Sequence, residues 1–494
     1  MRASRQVWWL YGGQLVGHMI TMAIGIVLAR LLLLSDYAIY RQLLLVSSLL
    51  LPALGLGMKG SLLYFMGHAS DPLGQRVTLA RTYLLLFFPA LAALLTTTVG
   101  AQTVSRFIGN PAMSVYLRPF SIYVVSLLFS SQAVPALIAV GRARVAATYS
   151  VLASVVRFAI VIGFAMAFRT IWLVVLSVSL VGLAEGLFSA FLLGRVIGFS
   201  CSKAYDRPEI ARHLKYSIPL GLSEIAYRWG NRIDHILVSR LFASSSYAVY
   251  SVGAIEIPFV LLLHAAIYSV AFPKMAELYK LGRSDEMLAL WRMVIVRSFL
   301  VLFPAFLLLQ LLAQDLVVLL YTEKFIGAVP IFRTYLWIIP MRSLHFNMPL
   351  RVMGRTPVDM VGSLLALGVN VILGYVLLAV FRQPVLAALS TVISFGLMNI
   401  FYSYYAARML NTRIHKLVPV RRLAKLALIA SSAFVVGHMV RLACFACSGS
   451  LNLAAPVVIA VSFLLVFVLL LALLSPEDFQ AIRDIARLKR DPKL

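Results

Sequence analysis

The chain has 494 residues, of which 62% are hydrophobic and only 13% charged, with a mean hydropathy of +0.93. A soluble chain of this length has too little interior to bury so much apolar surface. The composition therefore indicates a polytopic membrane protein and disfavours a cytosolic enzyme, a transcription factor or a secreted disulfide scaffold. The formal charge of +26 would suggest nucleic-acid binding in a soluble protein. In a membrane protein its meaning depends on how the basic residues are divided between the spans and the loops on either side.

Fourteen segments are apolar over about the 20 residues that a membrane-spanning helix needs. The second is long and interrupted by glycines, and the seventh is the most polar. The sequence therefore predicts an all-α polytopic membrane protein with about 14 transmembrane helices. They cover residues 7–29, 38–66, 82–101, 116–140, 145–168, 171–194, 216–240, 248–272, 291–313, 329–350, 358–381, 384–407, 423–443 and 453–474.

The basic residues of the loops alternate along the chain. Loops on the side of the N-terminus carry 28 Lys and Arg residues, whereas the opposite loops carry 7. Since cytoplasmic loops are enriched in Lys and Arg, this asymmetry supports the span count and predicts that both termini are cytoplasmic. The outer loops are short and have no room for a catalytic domain, so we expect no enzyme, no cofactor and no metal site.

The C-terminal segment, residues 475–494, differs from the spans. Ser475-Pro476-Glu477-Asp478 has the pattern of a helix N-cap with proline in the first turn. Phe479, Ile482 and Ile485 then recur at helical spacing among basic residues, which fits a short amphipathic helix on anionic phospholipids. A solvated charged tail explains the same pattern.

An internal duplication organises the spans. VLARLLLLSDYAIY (27–40) aligns without gaps on LVSRLFASSSYAVY (237–250). RFIGNP (106–111) resembles KFIGAVP (324–330), and Gly-Arg pairs at 141–142 and 354–355 follow in the same order. The distance along the chain between the two copies contains six predicted spans. Because six is an even number, the two copies have the same orientation in the membrane. The sequence predicts an N-lobe (1–195, helices 1–6), a cytoplasmic linker (196–215), a C-lobe (216–407, helices 7–12) and helices 13–14 (408–474).

Charged residues inside the predicted spans number nine cations and four acids, a net charge of +5 where charge is most costly. Such charges persist where they are paired or line a wet cavity. The cations are Arg41, Lys59, Arg157, Arg228, Arg232, Arg297, Arg333, Arg342 and Arg441, and the acids are Glu185, Glu224, Asp234 and Glu256. Those near span ends, including Arg41, Arg297 and Arg333, can instead extend to the interface. We expect Arg157, Arg228 and Arg342, which lie near span centres, to line a cavity.

Helix 7 is the most polar span. On a continuous helix its Glu224, Arg228, Asn231, Arg232 and His235 fall within about 100° of one another, as one stripe that we expect to face the cavity. Glu224 and Arg228 at i,i+4 spacing also fit a local ion pair.

Asp234 lies off this stripe and is expected to brace a neighbouring helix. Glu185, Glu224, Glu256 and His235 are candidate proton or sodium groups for ion coupling, although a structural role in an ion pair or hydrogen bond is the commoner one for such residues.

A cationic cavity selects an anionic substrate, and arginine matches phosphate oxygens in a bidentate manner. A lipid pyrophosphate fits this arrangement, since its headgroup enters the lumen while its tail stays in the bilayer. Most of the excess positive charge is then a signal of membrane orientation, so we expect no nucleic-acid partner.

Several segments resemble the polysaccharide biosynthesis (O-antigen flippase) family of the multidrug/oligosaccharidyl-lipid/polysaccharide exporter superfamily. They are GIVLARLLLLSDYAIYRQ, NRIDHILVSRLFASSSYAVYSVGAIEIPFVLL, IYSVAFPKMAEL and LLYTEKFIGAVPIFR. The resemblance implies two six-helix lobes, alternating access and a bacterial inner-membrane location. It also implies export of an undecaprenyl-pyrophosphate-linked oligosaccharide, with glycan polymerase or ligase machinery as partners, for O-antigen, lipopolysaccharide or exopolysaccharide synthesis.

Two alternative functions remain open in the same superfamily. Lipid II flippases have fourteen spans and share the requirement for a cationic lumen. A cation-coupled multidrug exporter would suit an acidic lumen better than a net charge of +5.

Overall fold

The structure, a computed structural model, describes residues 2–69, 71–202, 204–255, 257–448 and 454–480. Within these ranges it contains 23 α-helices, one 3₁₀ helix at Glu323–Phe325 and no strand. The α-helices are α1 (Arg2–Leu31), α2 (Leu34–Gly55), α3 (Met58–His68), α4 (Pro72–Leu85), α5 (Phe87–Thr98), α6 (Ala101–Ile108), α7 (Met113–Ser130), α8 (Ala133–Ala139), α9 (Ala143–Phe168), α10 (Ile171–Val196), α11 (Arg207–Gly230), α12 (Ile233–Leu241), α13 (Ser244–Gly253), α14 (Pro258–Lys280), α15 (Ser284–Tyr321), α16 (Ala328–Leu336), α17 (Ile338–Arg342), α18 (Asn347–Val352), α19 (Thr356–Phe381), α20 (Val385–Met409), α21 (Ile414–Leu417), α22 (Val420–Ser448) and α23 (Ala454–Leu474).

The prediction of an all-α, multi-pass membrane protein is confirmed. In the described part of the chain, eleven helices are long and apolar enough to cross a membrane. The other three predicted spans, 216–240, 248–272 and 329–350, fall on segments that the structure divides into the helices α11–α12, α13–α14 and α16–α18.

The chain divides into two compact units. The first comprises Met1–Ser251 with Val371–Ala387, and the second Val252–Asn370 with Ala388–Leu494. The predicted lobes, 1–195 and 216–407, have different bounds, because α11 and α12 pack within the first unit against α2, α3 and α6. The two-lobe division stays a prediction.

Each unit has its own apolar core. In the first unit, α3, α4, α8, α9 and α10 contribute a cluster around Leu62, Leu137 and Leu193, all fully buried. In the second, α14, α15, α18, α20, α22 and α23 pack around the fully buried Trp291. The 38-residue α15 is the longest helix of this unit and packs against α14, α16 and α22.

The landmarks of the duplication adopt matching local structures. In both copies of the first motif a helix ends, two residues intervene, and a new helix begins, at Leu31–Leu34 and again at Leu241–Ser244. Gly141 and Gly354 both have a left-handed backbone, with φ of 72° and 70°. In each case the amide of the following arginine donates to the carbonyl five residues earlier, at 2.8 Å, as in a Schellman helix end.

The C-terminal segment is helical from the residue after Ser475 to Gln480, where the described residues end, as the predicted N-cap at Ser475 requires. The Ser475 hydroxyl donates to Asp478 Oδ2 at 2.7 Å, and the Phe479 amide donates to the Ser475 carbonyl at 3.0 Å. Arg422 of α22 binds the buried Asp478 through Nε and a terminal nitrogen. The predicted amphipathic positions Ile482 and Ile485 lie outside the described residues.

The N-terminal half of α11 is fixed by a buried histidine. His213 Nε2 lies 2.9 Å from the Ser61 hydroxyl of α3, and its ring contacts that of Phe65. Burial and the positive charge of Arg81 lower the pKa of His213 from 6.5 to about 4. The neutral imidazole is therefore part of the folded structure.

We predict that acid weakens this contact. Below pH 6.5 the unfolded chain binds a proton at His213 before the folded chain does, so stability is lost as the pH falls from 6.5 towards 4. The contribution lost by pH 5 is about 2 kcal/mol. Thermal unfolding of the detergent-solubilised protein at pH 7 and pH 5 measures it. His213→Gln keeps a hydrogen-bonding group without titrating, so it should lose less stability between the two pH values. An equal loss in both proteins would contradict the assignment.

A second prediction concerns Gly57, between α2 and α3, which has a φ of 71°. A Cβ atom there would lie 2.5 Å from the Ser217 carbonyl oxygen and 2.6 Å from the Gly221 amide nitrogen. We expect Gly57→Ala to destabilise the protein by about 1–3 kcal/mol, through backbone strain and the clash. Gly67→Ala, in the adjacent α3 with no atom within 4 Å of its Cβ, is the matched control. Equal melting temperatures for the two variants would refute this account.

Candidate functional site

Three interrupted helices of the first unit determine where its polar groups meet. The first interruption separates α2 from α3, where Leu56 and Gly57 have left-handed backbones with φ of 42° and 71°. Pro52 lies inside α2 shortly before it and cannot donate a backbone hydrogen bond. A left-handed leucine is strained, and such strain concentrates at functional sites.

The other two interruptions follow from local sequence in the same way. Ser131 and Gln132 separate α7 from α8, and Pro135 in the first turn of α8 cannot continue the preceding hydrogen-bond ladder. Asn231 and Arg232 separate α11 from α12 directly after Gly230, a poor helix former. Non-helical backbone at membrane depth is tolerated only where it is buried in protein or lines a water-filled cavity.

Backbone contact brings two of these segments together. Gly57 and Gly221 approach so closely that a Cβ on Gly221 would lie 2.5 Å from the Leu56 carbonyl carbon. Trp229 Nε1 also donates to the Leu49 carbonyl at 3.0 Å, which fixes α11 on α2. The glycine pair therefore places Lys59, just after the first break, beside the polar face of α11.

A cavity of about 480 Å³ lies where these segments meet. Gly55, Gly57 and Lys59 lie at or beside the break between α2 and α3, and Ser131 and Gln132 separate α7 from α8. The full lining is Ser48, Leu51, Pro52, Gly55, Gly57, Met58, Lys59, Leu128, Ser131, Gln132, Glu224 and Arg228. We call it the unit-1 cavity. Its lining carries two cations and one acid, a net charge of +1.

The charges in the unit-1 cavity interact with one another. Arg228 Nε donates to Glu224 Oε1 at 2.8 Å, across one turn of α11. Lys59 is within electrostatic reach of both, attracted by Glu224 and repelled by Arg228. The Arg228 side chain keeps 55% of its surface exposed, so its remaining donors face the open space. The cavity can therefore hold an anion with many acceptor oxygens.

Arg157 lies elsewhere in the first unit, between α9 and α10. Its Nε donates to Glu185 Oε1 at 3.0 Å, and its second contact joins a terminal nitrogen to Oε2. The tyrosines at 40 and 123 lie within electrostatic reach of the guanidinium. The structure thus places this predicted cavity cation in a bidentate ion pair, with 22% of its side chain exposed.

The predicted polar stripe of helix 7 is not continuous, because the helix breaks at Asn231 and Arg232. Glu224 and Arg228 precede the break and line the unit-1 cavity, and Asn231 is exposed at the break itself. Arg232 lies 3.5 Å from the buried His235 Nε2. The expectation of one face with five polar groups was wrong, since it assumed a straight helix through Gly230.

Asp234 and Arg41 both anchor the region around α13. The fully buried Asp234 accepts from the Tyr250 hydroxyl at 2.7 Å and from the His235 amide at 2.9 Å. Arg41 donates to the Ser251 carbonyl at 2.9 Å. Both residues therefore contact protein groups on the element that follows α12.

The remaining predicted cations belong to the second unit. Arg342 lines an apolar cavity of about 350 Å³ together with Ile255, Ile257, Val260, Tyr335, Leu336, Ile338 and Ile339. Arg297 is half-buried on α15, and Arg333 is exposed on α16. Arg441 of α22 forms an ion pair with Asp315 of α15 at 3.2 Å. Glu256 lies outside the described residues.

Sequence reasoning missed the neutral lining of the unit-1 cavity. Ser48, Ser131 and Gln132 carry no charge and so did not stand out among the spans. Gln132 Oε1 is buried without a hydrogen-bond partner. The prolines at positions 52 and 135 were the available signals, because they predict interruptions at just these places.

Comparison with solved structures places this fold among known transporters. A lipid II flippase, MurJ, in an inward closed conformation matches with a TM-score of 0.74 and 11% identity, covering 94% of this chain and 98% of that one. An inward-facing multidrug resistance MATE transporter of the MOP superfamily matches with a TM-score of 0.68 and 14% identity, covering 80% and 94%. A MOP superfamily transporter from Pyrococcus furiosus Vc1, described as having reversed binding-pocket polarity, gives 0.60 and 14%, covering 82% and 95%.

At these identities the structures show a shared fold. No curated protein matches the chain in sequence. The family model described as polysaccharide biosynthesis protein matches residues 27–330, more than half of the chain and most of the region that carries the duplication. The chain therefore belongs to the polysaccharide biosynthesis protein family and has the fold of the MOP superfamily transporters.

Proposed function

We propose that this protein is a flippase that moves an undecaprenyl-pyrophosphate-linked oligosaccharide, an O-antigen or exopolysaccharide repeat unit, across the bacterial inner membrane. Transport proceeds by alternating access, with both termini cytoplasmic. The observation that carries the proposal is the cationic unit-1 cavity, which lies at two helix breaks beside α11, in a chain that belongs to a polysaccharide biosynthesis family. Glycan polymerase or ligase machinery would then use the lipid-linked glycan at the outer face.

The chemistry of the cavity suits a pyrophosphate. Lys59 and Arg228 supply up to eight N–H donors between them, while the pyrophosphate presents only acceptors at neutral pH. Glu224 occupies one Arg228 donor at 2.8 Å and holds the guanidinium in place. Charge recognition of the headgroup leaves the sugar composition unspecified, as a carrier of a large glycan requires.

A second candidate function is the flipping of lipid II, the peptidoglycan precursor. It is favoured by the match to MurJ over nearly the whole of both chains. A multidrug exporter is the third candidate, and the MATE matches share its fold. The excess of cations over acids in the unit-1 cavity argues against cationic drugs as substrates.

The proposal predicts that Arg228→Gln slows transport on the order of 10–100-fold, because a charge-assisted contact to the headgroup is lost. The full-length protein is reconstituted in liposomes with a fluorescent undecaprenyl-pyrophosphate oligosaccharide. Accessibility of the label to an impermeant reductant gives the rate. Fluorescent lipid II and a labelled cationic drug, added in separate experiments, distinguish the three candidates.

Arg283→Gln is the matched control for this experiment. Arg283, the residue just before α15, also pairs with a nearby glutamate, Glu286, at 2.5 Å and with a similar exposure, but it lies in a predicted cytoplasmic loop. Its loss should leave the rate unchanged. Equal rates for wild type and Arg228→Gln, or movement of lipid II alone, would overturn the proposed substrate assignment.

We assign Arg157 a structural role, because Glu185 accepts two hydrogen bonds from its guanidinium group. Arg157→Gln or Glu185→Gln alone should destabilise the protein by about 3 kcal/mol, since each leaves one charge without its partner. The double replacement by methionine should recover most of this stability and retain transport. Thermal unfolding and the liposome assay measure the two effects. A stable double variant without transport would instead make Arg157 a substrate-binding residue.

A further inference from the structure

The unit-1 cavity has a neutral polar side that the proposed contacts to the pyrophosphate do not use. Its charged side chains come from α3 and α11. Its three neutral polar side chains, Ser48, Ser131 and Gln132, come from α2 and from the break between α7 and α8. Charged and neutral groups therefore reach the cavity from different helices, and the hydrogen bonds of the neutral groups indicate what they can bind.

Both serines use their hydroxyl hydrogens on their own helix. The Ser48 hydroxyl donates to the Leu45 carbonyl at 2.7 Å, and the Ser131 hydroxyl donates to the Leu128 carbonyl at 3.0 Å. A hydroxyl has one hydrogen to donate and two lone pairs that accept. Both serines are half-buried, so the part of each hydroxyl that stays available to the cavity is an acceptor.

Gln132 is oriented by the same backbone carbonyl. Its Nε2 donates to the Leu128 carbonyl at 3.1 Å and to the Ser131 hydroxyl oxygen at 3.3 Å, which uses both of its hydrogens. Because a carbonyl can only accept, the contact with Leu128 fixes the amide with its oxygen turned away from that carbonyl. Oε1 is buried and makes no hydrogen bond within the protein. Gln132, which is 1% exposed, thus holds an unpaired acceptor at the wall of the cavity.

These acceptors make the neutral side the chemical opposite of the cationic side. A pyrophosphate carries only acceptor oxygens at neutral pH, so it cannot pair with the serine oxygens or with Gln132 Oε1. A buried acceptor without a partner is costly, and buried polar atoms are nearly always paired. The group that suits this side must donate a hydrogen bond, and hydroxyl and amide N–H groups are the neutral donors.

The first sugar of a lipid-linked glycan carries such donors close to the pyrophosphate. It is bonded directly to the distal phosphate, so its nearest hydroxyl or acetamido group lies only a few bonds from the phosphate oxygens. The cavity volume of about 480 Å³ lies within the range of about 300–1,000 Å³ that is usual for small-ligand sites. A pyrophosphate with one sugar ring is a ligand of this size, whereas a whole oligosaccharide is larger.

We propose that Ser48, Ser131 and Gln132 form a subsite for the sugar bonded to the pyrophosphate. The subsite selects a sugar with a hydroxyl or acetamido donor on the carbon next to the glycosidic carbon. The terminal torsion of a glutamine is soft, so a small rotation of the amide turns Oε1 to the donor. The inference rests on the proposed function for the pyrophosphate that brings the sugar into the cavity. It adds a selection that charge recognition cannot make, while the rest of the glycan stays unspecified.

Binding of defined analogues tests the subsite. The full-length protein in detergent is titrated by calorimetry with geranylgeranyl pyrophosphate, and with the same pyrophosphate linked to N-acetylglucosamine or to 2-azido-2-deoxyglucose. The azido group replaces the acetamido group and has no hydrogen to donate. We expect wild type to bind the acetamido form about tenfold more tightly than the azido form, which leaves the acceptors unpaired. The unglycosylated probe measures the affinity for the pyrophosphate alone.

Variants separate sugar recognition from packing. Gln132→Met replaces the amide by an unbranched apolar chain, so the ratio of the two sugar affinities should fall to about one, with unchanged affinity for the unglycosylated probe. Ser131→Ala should lower the ratio to about threefold. Gln310→Met is the matched control, since Gln310 Nε2 of α15 also donates to a backbone carbonyl, that of Arg333, at 2.8 Å but in the second unit. It should keep the wild-type ratio. Thermal unfolding checks that each variant is folded.

The outcomes distinguish the subsite from the proposed function. Equal affinities of wild type for the two sugars overturn the subsite, as does a preference for the acetamido form that persists in Gln132→Met. Either result leaves the proposed function standing if the unglycosylated probe binds and the labelled oligosaccharide crosses the liposome membrane. Wild type that binds none of the three pyrophosphates rejects the proposed substrate and the subsite with it.

Discussion

Backbone hydrogen bonding inside the membrane is the constraint from which the rest of this structure follows. A spanning segment in lipid must satisfy its amides and carbonyls internally, which permits long helices and penalises any interruption. The breaks at Leu56–Gly57, Ser131–Gln132 and Asn231–Arg232 therefore indicate places where the backbone is buried in protein or lines a cavity. The first two supply lining residues of the unit-1 cavity, and the third follows the turn of α11 that supplies Glu224 and Arg228.

Charge inside the spans divides into two kinds of partnership. Arg157 with Glu185 and Arg441 with Asp315 join different helices and hold them together. Arg228 with Glu224 lies on a single helix and lines the unit-1 cavity. Since a buried ion pair contributes little net stability beyond a well-packed apolar pair, interhelical pairs are explained best as constraints on helix position. The intrahelical pair is the one free to exchange its partner for a ligand.

The second unit also has an interrupted span and a cation beside a cavity. Its tenth predicted span is divided into α16, α17 and α18, and the break before α18 carries His345 in a strained backbone. Arg342 lies at the end of α17 beside an apolar cavity.

The sequence by itself determined the membrane class, the all-α fold and the family resemblance, because hydropathy and the duplicated motifs act over long stretches that local packing cannot alter. It also singled out Arg228, Glu224 and Lys59, since charge is costly in a span. Only the tertiary structure decided which charges meet: it paired Arg157 with Glu185 and broke helix 7 after Gly230. It also stacked His264 on His345, which are 81 residues apart in the chain. Such pairings depend on helix rotation and on where breaks fall, and neither is encoded by the spacing within one helix.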